Sequence, residues 1–247
     1  MRCLVLSDIH ANLAAFEAVL KDAQRRRLSY DMLWCLGDVV GYGPDPNECI
    51  ELLRTVPHVC LAGNHDWAVL GKLALSTFHE NAMFAVQWTR DCLSAENLNY
   101  LRARSACEIQ GQYMLAHASP REPIWEYILD VGVAAENFAH VPNGCALVGH
   151  THVPVAFVRD RATGDVRAAA PLIGVAIALD EGFEYIINPG GVGQPRDGDP
   201  RAAYALLDTE KHTWTQYRVE YPVRATQAKM RAAGFPEPLI ARLGYGR

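Results

Sequence analysis

Apolar runs that end in polar residues alternate with segments of helical period near the start of the chain. The runs at 3–8, 31–38 and 58–66 (CLVLSD, DMLWCLGD and HVCLAGNHD) are nearly continuous in apolar residues, which is typical of buried strands. The segments 11–27 and 46–55 place apolar residues three and four positions apart, which predicts helices. The resulting order of strand, helix, strand, helix and strand indicates an α/β fold.

The remaining chain moves from this alternation to closely spaced strands. Residues 78–104 have a mostly helical pattern, and the apolar runs 112–117 and 145–150 predict two strands that each end in histidine. After residue 153, turns such as ATGD and DTEKHT separate apolar runs, as in antiparallel hairpins. These runs are PVAFVRD, FEYIINPG, AAYALLD and WTQYRVEY. The run 168–179 is expected to be a core hairpin strand, with an exposed oligomer edge as the alternative.

Length and composition limit the number of domains. The chain has 247 residues, of which 50% are hydrophobic and 21% are charged, so it can bury one large core or at most two. No repeat, low-complexity segment or linker divides it. We therefore expect residues 1–247 to form a single domain with two sheets, ending in a helical tail at about 223–243 that is interrupted by GFPEP.

Net charge and cysteine content limit the classes of binding partner and the cellular compartment that we expect. A net charge of −5 provides no bulk basic field, which argues against nucleic acid as a partner. Seven scattered cysteines with no CxxC pair favour free thiols in a reducing compartment over a zinc ribbon or a disulfide framework. A charge at Asp8 comes too early for a signal peptide, and 168–179 is too short to span a bilayer. We expect a cytoplasmic protein without membrane contact.

Residues that can bind metals follow five consecutive predicted strands. Because the carboxyl ends of strands form the ligand site of open α/β sheets, we expect these side chains to lie together. The strand-end residues are Asp8, His10, Asp38, Asn64, His65, His117, His150 and His152. The pair in LVGHTHVP could alone be a solvated turn, but the complete series favours a single polar site.

The ligand types at these strand ends predict two transition-metal ions, of Mn, Fe or Zn. Carboxylates combined with imidazoles suit these metals, and the lack of a cysteine pair argues against a thiolate site. Seven candidate ligands, which are the series without His65, are too many for one tetrahedral ion. A carboxylate has two oxygens, so Asp38, which follows a central strand, is the candidate bridge between two ions.

Five sequence blocks resemble those of the calcineurin-like metallophosphoesterases in order and spacing. The blocks are SDIHAN, GDVVGYGP, GNHDW, LAHASP and GHTHVP, and they cover residues 7–154. NPGGVGQPRDG at 188–198 and the tail GFPEPLIARL further resemble the small bacterial and archaeal phosphodiesterase branch. Any one block is weak evidence, whereas the set is highly specific and the likeness covers nearly the whole chain.

The resemblance implies a fold and a role for each site residue. The expected fold is a four-layer α/β/β/α sandwich of two mixed sheets. The expected reaction is hydrolysis of small phosphodiesters by in-line attack of a metal-bridging hydroxide. His65 would protonate the leaving oxygen or clamp the transition state, and Asp66 would hydrogen-bond His65. The metal sets implied are Asp8, His10 and His152 for one ion and Asn64, His117 and His150 for the other, with Asp38 shared.

The resemblance leaves the substrate and the oligomeric state open. A phosphomonoesterase or a dinucleoside polyphosphate hydrolase would use the same site, and a non-catalytic scaffold is the minor alternative because the retromer subunit of this fold has lost its catalytic histidine. GNHD in place of GNHE, together with the lack of an Asp-Arg-Gly block, argues against a phosphoprotein substrate. Gly191 occupies the position where we expect Ser in the small branch, and loss of the serine hydroxyl would alter either a backbone turn or a phosphate contact.

Several further residues have both a functional and a structural interpretation. Asn12 could contact a substrate phosphate or only cap the helix that follows it. Arg196 could bind phosphate through its planar guanidinium or only occupy a surface turn. Tyr42 could line the site beside Asp38. The remaining histidines are expected to be structural or on the surface; they are His58, His79, His140 and His212.

Overall fold

Two six-stranded mixed sheets form the centre of the protein in a computed structural model that describes all 247 residues. The first sheet has the order β3-β2-β1-β11-β12-β9 and the second the order β4-β5-β6-β10-β7-β8. The strands of the first sheet are β1 (Arg2–Leu6), β2 (Met32–Cys35), β3 (His58–Cys60), β9 (Ala176–Ala178), β11 (Ala202–Asp208) and β12 (Thr213–Val219). The strands of the second are β4 (Cys107–Gln110), β5 (Tyr113–Ala116), β6 (Cys145–Leu147), β7 (Val155–Asp160), β8 (Val166–Ala169) and β10 (Phe183–Asn188).

Eight α-helices and two short 3-10 turns connect or cover the strands. The helices are α1 (Leu13–Arg25), α2 (Pro46–Arg54), α3 (Asn64–Val69), α4 (Glu80–Cys92), α5 (Ala95–Arg102), α6 (Val131–Asn137), α7 (Val223–Ala232) and α8 (Glu237–Arg242). The 3-10 turns are Leu75–Thr77 and Phe138–His140. None of the helices combines the length and apolar character needed to cross a membrane.

Side chains of β1 alternate between two apolar cores, which explains why this strand is a continuous apolar run. Leu4 and Leu6 point into the core that α1, α2 and α4 close on the outer face of the first sheet, whereas Cys3 and Val5 point into the core between the sheets. Trp34, Tyr113 and Trp214 also lie in the inner core. A third core packs α6 on the outer face of the second sheet. These layers confirm the expected four-layer α/β/β/α sandwich.

The strand directions bring the proposed ligand-bearing loops to one edge of the sandwich. Strands β1, β2 and β3 are mutually parallel in the first sheet, and β5, β6 and β10 are mutually parallel in the second. The antiparallel strands β11, β12 and β9 extend the first sheet on the far side of β1. The loops that follow β1, β2, β3, β5 and β6 therefore leave their sheets at carboxyl ends, where ligand sites of α/β proteins are found.

The expectation of a core strand over 168–179 is wrong. Ala168 and Ala169 end β8, which is the edge strand of the second sheet, and Ala176–Ala178 form β9, which is the edge strand of the first sheet and pairs with β12 on one side. Leu172 is 66% exposed and Val175 is 48% exposed. Apolar composition cannot distinguish a core strand from an edge, and Pro171 and Gly174, which has φ +74, interrupt the pairing.

A buried hydrogen bond fastens α1 to the first sheet. The Tyr204 hydroxyl on β11 donates to Asp22 Oδ2 over 2.7 Å, and the Asp22 carboxylate also accepts from Arg25 and Arg26. Both Tyr204 and Asp22 are almost completely buried. The ring of Tyr217 stacks on that of Tyr204 with centroids 5.2 Å apart, but its hydroxyl makes no hydrogen bond within the protein.

Tyr204→Phe is expected to lower the free energy of unfolding by about 1–3 kcal/mol, because a buried carboxylate loses one charge-assisted donor. Tyr217→Phe is the matched control and should change it by less than about 0.5 kcal/mol. Urea denaturation, read as a shift of the midpoint at constant slope, measures both effects. Equal effects of the two substitutions would contradict the assignment of this bond.

Candidate metal centre

Loops that follow strand ends are connected at this edge by hydrogen bonds from backbone amides. The amide of Asp8 donates to the carbonyl of Gly37 over 3.1 Å, and the amide of His10 donates to the carbonyl of Asp38 over 2.9 Å. The amide of His150 donates to Asp8 Oδ2 over 3.2 Å. The positions of the ligand-type side chains are thus fixed by neighbouring loops rather than by each loop alone.

The ligand-type side chains form two buried groups. In each group the candidate ligand atoms lie within 4.8 Å of one another, and the groups are Asp8, His10 and His152, and Asp38, His117 and His150. Asn64 joins the second, because its Oδ1 lies 3.1 Å from His117 Nε2. Asp38 lies between the groups, since its Oδ2 is 3.6 Å from His10 Nε2 and 3.5 Å from His117 Nε2.

The tautomers of three histidines fit a bound cation. The Nδ1 atoms of His10, His117 and His152 each lie against a backbone carbonyl oxygen, at 3.1, 2.9 and 2.5 Å respectively. Because a carbonyl accepts only from a protonated nitrogen, the neutral ring then has a lone pair on Nε2.

The Nε2 atoms face other lone pairs at short range. His10 Nε2 and His152 Nε2 are 3.1 Å apart, and the acceptor Oδ1 of Asn64 lies at the same distance from His117 Nε2. Two lone pairs at this distance repel each other, whereas two ligand atoms that each lie about 2.1 Å from one shared cation are about 3.0–3.4 Å apart. Asp8 Oδ1, Asp38 Oδ2 and His150 Nε2 are also buried without a hydrogen-bond partner. The donor set therefore fits two cations.

Burial shapes the protonation of the site. It lowers the pKa of His10 and of His150 well below 6.5, with the neighbouring His152 and His117 respectively adding to the effect, so the rings are neutral, as metal binding requires. Burial raises the pKa of Asp38 well above 3.8, and the charges of Asp66 and Asp8 raise it further. Cations beside Asp38 would offset this cost of burying its charge.

The backbone of the site is strained at most of the candidate ligands. Five of them have φ between 47° and 64°, a region that non-glycine residues rarely adopt. These ligands are Asp8, His10, Asp38, His150 and His152. Each such residue costs about 1 kcal/mol or more, and such strain clusters at functional sites. The backbone conformation that directs these side chains toward one another therefore lowers the free energy of unfolding.

Two motif glycines are required by close packing against the ligands. A Cβ at Gly63, in the GNHD block, would lie 2.1 Å from Asp38 Oδ1 and 2.6 Å from His117 Cε1. A Cβ at Gly149, in the GHTH block, would lie 2.0 Å from the Ser7 hydroxyl oxygen and 3.1 Å from Asp8 Oδ2. The glycines in these blocks therefore leave room for ligands that come from other strands.

Gly63→Ala is expected to reduce metal binding and phosphoester hydrolysis by about 10- to 100-fold, because the new methyl group must displace the Asp38 carboxylate. Gly182→Ala is the control, since a Cβ there meets nothing within 4 Å. Elemental analysis of the purified proteins and their rates with bis(p-nitrophenyl) phosphate provide the two measurements. A Gly63→Ala protein with wild-type metal content and rate would show that a methyl group at residue 63 does not displace the Asp38 carboxylate.

His65 lies beside the two groups and lines the same cavity. Its amide donates to Asp38 Oδ1 over 2.9 Å, and its ring packs against those of Tyr42 and His10 at centroid distances of 4.3 and 4.9 Å. Neither ring nitrogen hydrogen-bonds the protein, and Nδ1 is buried. Burial lowers the pKa of His65 well below 6.5, and the charge of Arg196 lowers it further.

The Asp66 carboxylate does not accept the expected hydrogen bond from the His65 ring. The Asp66 carboxylate turns back to accept from the backbone amides of Gly63, Val39 and Val40 at 2.9, 3.3 and 3.1 Å. As the third residue of α3, Asp66 is placed to cap the first turn of its own helix, and this competes with reaching the ring of its neighbour. Burial raises its pKa to about 6, and the bond from Gly63 opposes the rise. Asp66 thus positions the loop that carries Asp38.

The substrate contact expected of Asn12 is not supported by its surroundings. Its Oδ1 accepts from the Ala15 amide and the Thr226 hydroxyl, at 3.3 and 2.9 Å, and its Nδ2 donates to the Gly193 carbonyl over 2.9 Å. With its donor and acceptor engaged and 1% exposure, Asn12 caps α1 and ties it to α7. At Gly191, a Cβ would lie 3.1 Å from His152 Cβ, so the serine that the resemblance leads us to expect at this position would crowd His152.

Arg196 lines the cavity without a carboxylate partner. Its Nη2 donates to Gln194 Oε1 over 3.0 Å, its guanidinium carbon lies 5.8 Å from the centroid of the Tyr42 ring, and its Nε is buried without a partner. The cavity has a volume of about 270 Å³, and Asp38, His65 and His150 also line it. An unpaired guanidinium beside candidate metal ligands is well placed to bind an anion.

A larger groove of about 530 Å³ lies elsewhere, beside α1 and β12. Its three arginines are each already paired with an aspartate, so they offer little charge to a ligand. The pairs are Arg25–Asp22, Arg201–Asp199 and Arg218–Asp197. The smaller cavity at the metal centre is therefore the better candidate for the functional site.

The sequence pattern missed several residues that complete this site. The Asn188 amide at the end of β10 donates to the Gly149 carbonyl over 2.6 Å and to the Thr151 hydroxyl over 3.0 Å, which holds the GHTH loop. The NPGG block contained a signal for this residue. The cavity is also lined by Phe78, Trp125, Tyr127 and His79. Trp125 and Tyr127 lie in a segment without a periodic pattern, and Phe78 and His79 lie just before α4, at the start of the segment predicted to be helical. His79 is exposed on the surface, as expected.

Comparison with known proteins shows which family the chain resembles. A family model described as a calcineurin-like phosphoesterase superfamily domain matches residues 1–212. A metallophosphoesterase from Sphaerobacter thermophilus has a crystal structure that superposes with a TM-score of 0.89 at 48% identity, covering 100% of this chain and 99% of the other.

Two archaeal proteins extend the comparison. The uncharacterized protein MJ0912 of Methanocaldococcus jannaschii is 39% identical over 98% of this chain and 97% of its own length. The hypothetical protein PH1004 of Pyrococcus horikoshii OT3 shares the fold, with a TM-score of 0.80 at 20% identity over 100% of this chain and 98% of its own.

Proposed function

The chain belongs to the calcineurin-like phosphoesterase superfamily, and from this premise we propose that it is a two-metal hydrolase of small phosphodiesters. The observation that carries the proposal is the position of Asp38, whose carboxylate reaches histidines of both buried groups. A single carboxylate between two ligand sets can contact two neighbouring cations, since it has two oxygens.

The proposed ligands divide between the two ions. Asp8, His10 and His152 would hold one ion, Asn64, His117 and His150 would hold the other, and Asp38 would be shared. When bound, the ions supply Lewis acidity and lower the pKa of water. The strained backbone and the carbonyl-bonded Nδ1 atoms hold the Nε2 lone pairs in place before any ion arrives.

His65 is proposed to act on the leaving oxygen of the ester. The lowered pKa keeps its ring neutral near pH 7, so a ring N–H would donate a hydrogen bond to that oxygen as negative charge develops on it. No protein acceptor competes for the ring nitrogens. Arg196, on the same cavity, would bind the non-bridging phosphate oxygens and stabilise their charge.

The size and surroundings of the cavity favour a small substrate. Its volume of about 270 Å³ is at the small end of ligand sites, which typically measure about 300–1,000 Å³. The net charge of −5 provides no general attraction for a polyanion such as nucleic acid. A phosphodiester carries a single negative charge at the phosphate, which Arg196 and two cations can neutralise.

The test is a comparison of phosphoesters with purified, Mn²⁺-supplemented protein. We expect two metal ions per chain and a kcat/KM for bis(p-nitrophenyl) phosphate at least about tenfold above that for p-nitrophenyl phosphate. The reverse preference would indicate a phosphomonoesterase, and cleavage of diadenosine tetraphosphate alone would indicate a dinucleoside polyphosphate hydrolase. Protein that binds no metal and hydrolyses none of these esters would overturn the proposal in favour of a scaffold.

A further inference from the structure

Three aromatic side chains form one side of the cavity at the metal centre, and we refer to them as the aromatic wall. Phe78 lies just before α4, and Trp125 and Tyr127 lie in the loop before α6. The rings of Phe78 and Trp125 have centroids 5.0 Å apart, so the two loops meet in the wall. It is therefore a continuous surface built from separate parts of the chain.

The aromatic wall contacts one proposed ligand, His150, and the proposed hydrogen-bond donor, His65. The Tyr127 ring stacks on His150 at a centroid distance of 3.9 Å and an interplanar angle of 29°. The Phe78 ring lies edge-on to His65 at 5.3 Å, and Trp125 lies 6.5 Å from His150. A phosphate held between the ligands and Arg196 would thus place its organic group against these rings.

The wall is open rather than buried. Tyr127 is 41% exposed, and Phe78 and Trp125 are only half-buried although both are large and apolar. Exposed aromatic surface that lines a concave site is typical of ligand recognition, because a bound planar group removes it from water and stacks on it. Of the proposed ligands with a ring, the wall contacts only His150, and the other three histidines are oriented by backbone carbonyls without it.

We propose that the aromatic wall binds a nucleobase attached to the phosphate ester, so that the preferred substrates are nucleoside phosphodiesters. This inference rests on the proposed function and specifies its substrate class. Nucleobases suit the wall because each has a planar π-face that can stack on aromatic side chains regardless of base identity. Arg196 on the same cavity completes the site with a cation for the phosphate.

The test compares two ligands that differ only by the base, adenosine 5′-monophosphate and ribose 5-phosphate. Their dissociation constants are measured by calorimetry on Mn²⁺-supplemented protein. For the wild type we expect the nucleotide to bind at least about tenfold more tightly, as stacking of one base provides. Equal binding of the two ligands by the wild type, or binding of neither, would overturn the inference.

Substitutions locate the preference on the wall. Trp125→Leu should reduce the ratio of the two dissociation constants to below about threefold and leave binding of ribose 5-phosphate within about twofold. Phe78→Leu provides a second test should Trp125→Leu fail to fold. Trp88→Leu is the control, because Trp88 packs on Phe235 away from the cavity and the ratio should persist. A ratio that survives both wall substitutions would overturn the assignment.

The two proposals fail in distinguishable ways. Hydrolysis of bis(p-nitrophenyl) phosphate without any preference for the nucleotide would remove only the inference about the wall. A clear preference for the nucleotide in a protein that hydrolyses no phosphoester would support the wall as a nucleotide site and remove the proposed catalytic function.

Discussion

Asp38→Asn is expected to lower the phosphodiesterase rate by at least about 10³-fold. This loss is larger than the 10- to 100-fold loss that is typical when a residue that only supports a ligand is replaced. Asparagine has almost the same shape, and its Oδ1 can still accept the His65 amide bond of 2.9 Å. It cannot supply a negatively charged oxygen to two cations. The loss therefore reports on charge and bridging rather than on the shape of the loop.

Metal content distinguishes this explanation from a general loss of structure. Elemental analysis should give two ions per chain for the wild type and one or none for Asp38→Asn. Asp45→Asn is the matched control, because Asp45 is also a buried aspartate but pairs with Lys229 on α7 at 2.6 Å. An Asp38→Asn protein that keeps both ions and its rate would exclude Asp38 as the bridge.

His65→Ala is expected to lower kcat by about 10²- to 10⁴-fold while both ions remain bound. The proposed hydrogen bond stabilises negative charge on the leaving oxygen, so the loss should be larger for an ester with an alkyl leaving group than for one with p-nitrophenolate. His79→Ala is the control, since His79 lines the same cavity but is exposed. Equal losses with both leaving groups would assign His65 to phosphate binding alone.

The pH dependence of the rate distinguishes whether His65 donates its hydrogen bond as a neutral imidazole or as a protonated imidazolium. A protonated imidazolium would lose its extra proton as the pH rises through its pKa, and the rate would then fall. The pKa of His65 is instead held well below 6.5 by burial and by Arg196. The ratio of wild-type to His65→Ala rates should therefore stay constant from about pH 6.5 to pH 8, where the ring is already neutral. A ratio that falls across this range would indicate the imidazolium.

The α/β alternation and the proposed ligands could be predicted from the sequence for physical reasons, whereas the four layers were implied by the family resemblance. A strand buried on both faces has no polar positions, so β1 was visible as a run whose Leu4 and Val5 now lie in different cores. Parallel strands bring their carboxyl ends together, which made residues as distant as Asp8 and His150 predictable neighbours.

Other features depended on information that sequence periodicity does not contain. The family resemblance implied a hydrogen bond between Asp66 and His65, but the helical direction of α3 turns the Asp66 carboxylate to backbone amides. Trp125 and Tyr127 lie in an irregular loop, so nothing in their spacing indicated that they would face the site. The edge positions of β8 and β9, which share the run 168–179, follow from the partners available to each strand, and only the complete sheets define these partners.

The most direct measurement is anomalous diffraction from crystals of the Mn²⁺-loaded protein. The account predicts two manganese peaks, one bound by Asp8, His10 and His152 and one bound by Asn64, His117 and His150, with Asp38 contacting both. A single peak, or two peaks of which Asp38 contacts only one, would contradict it.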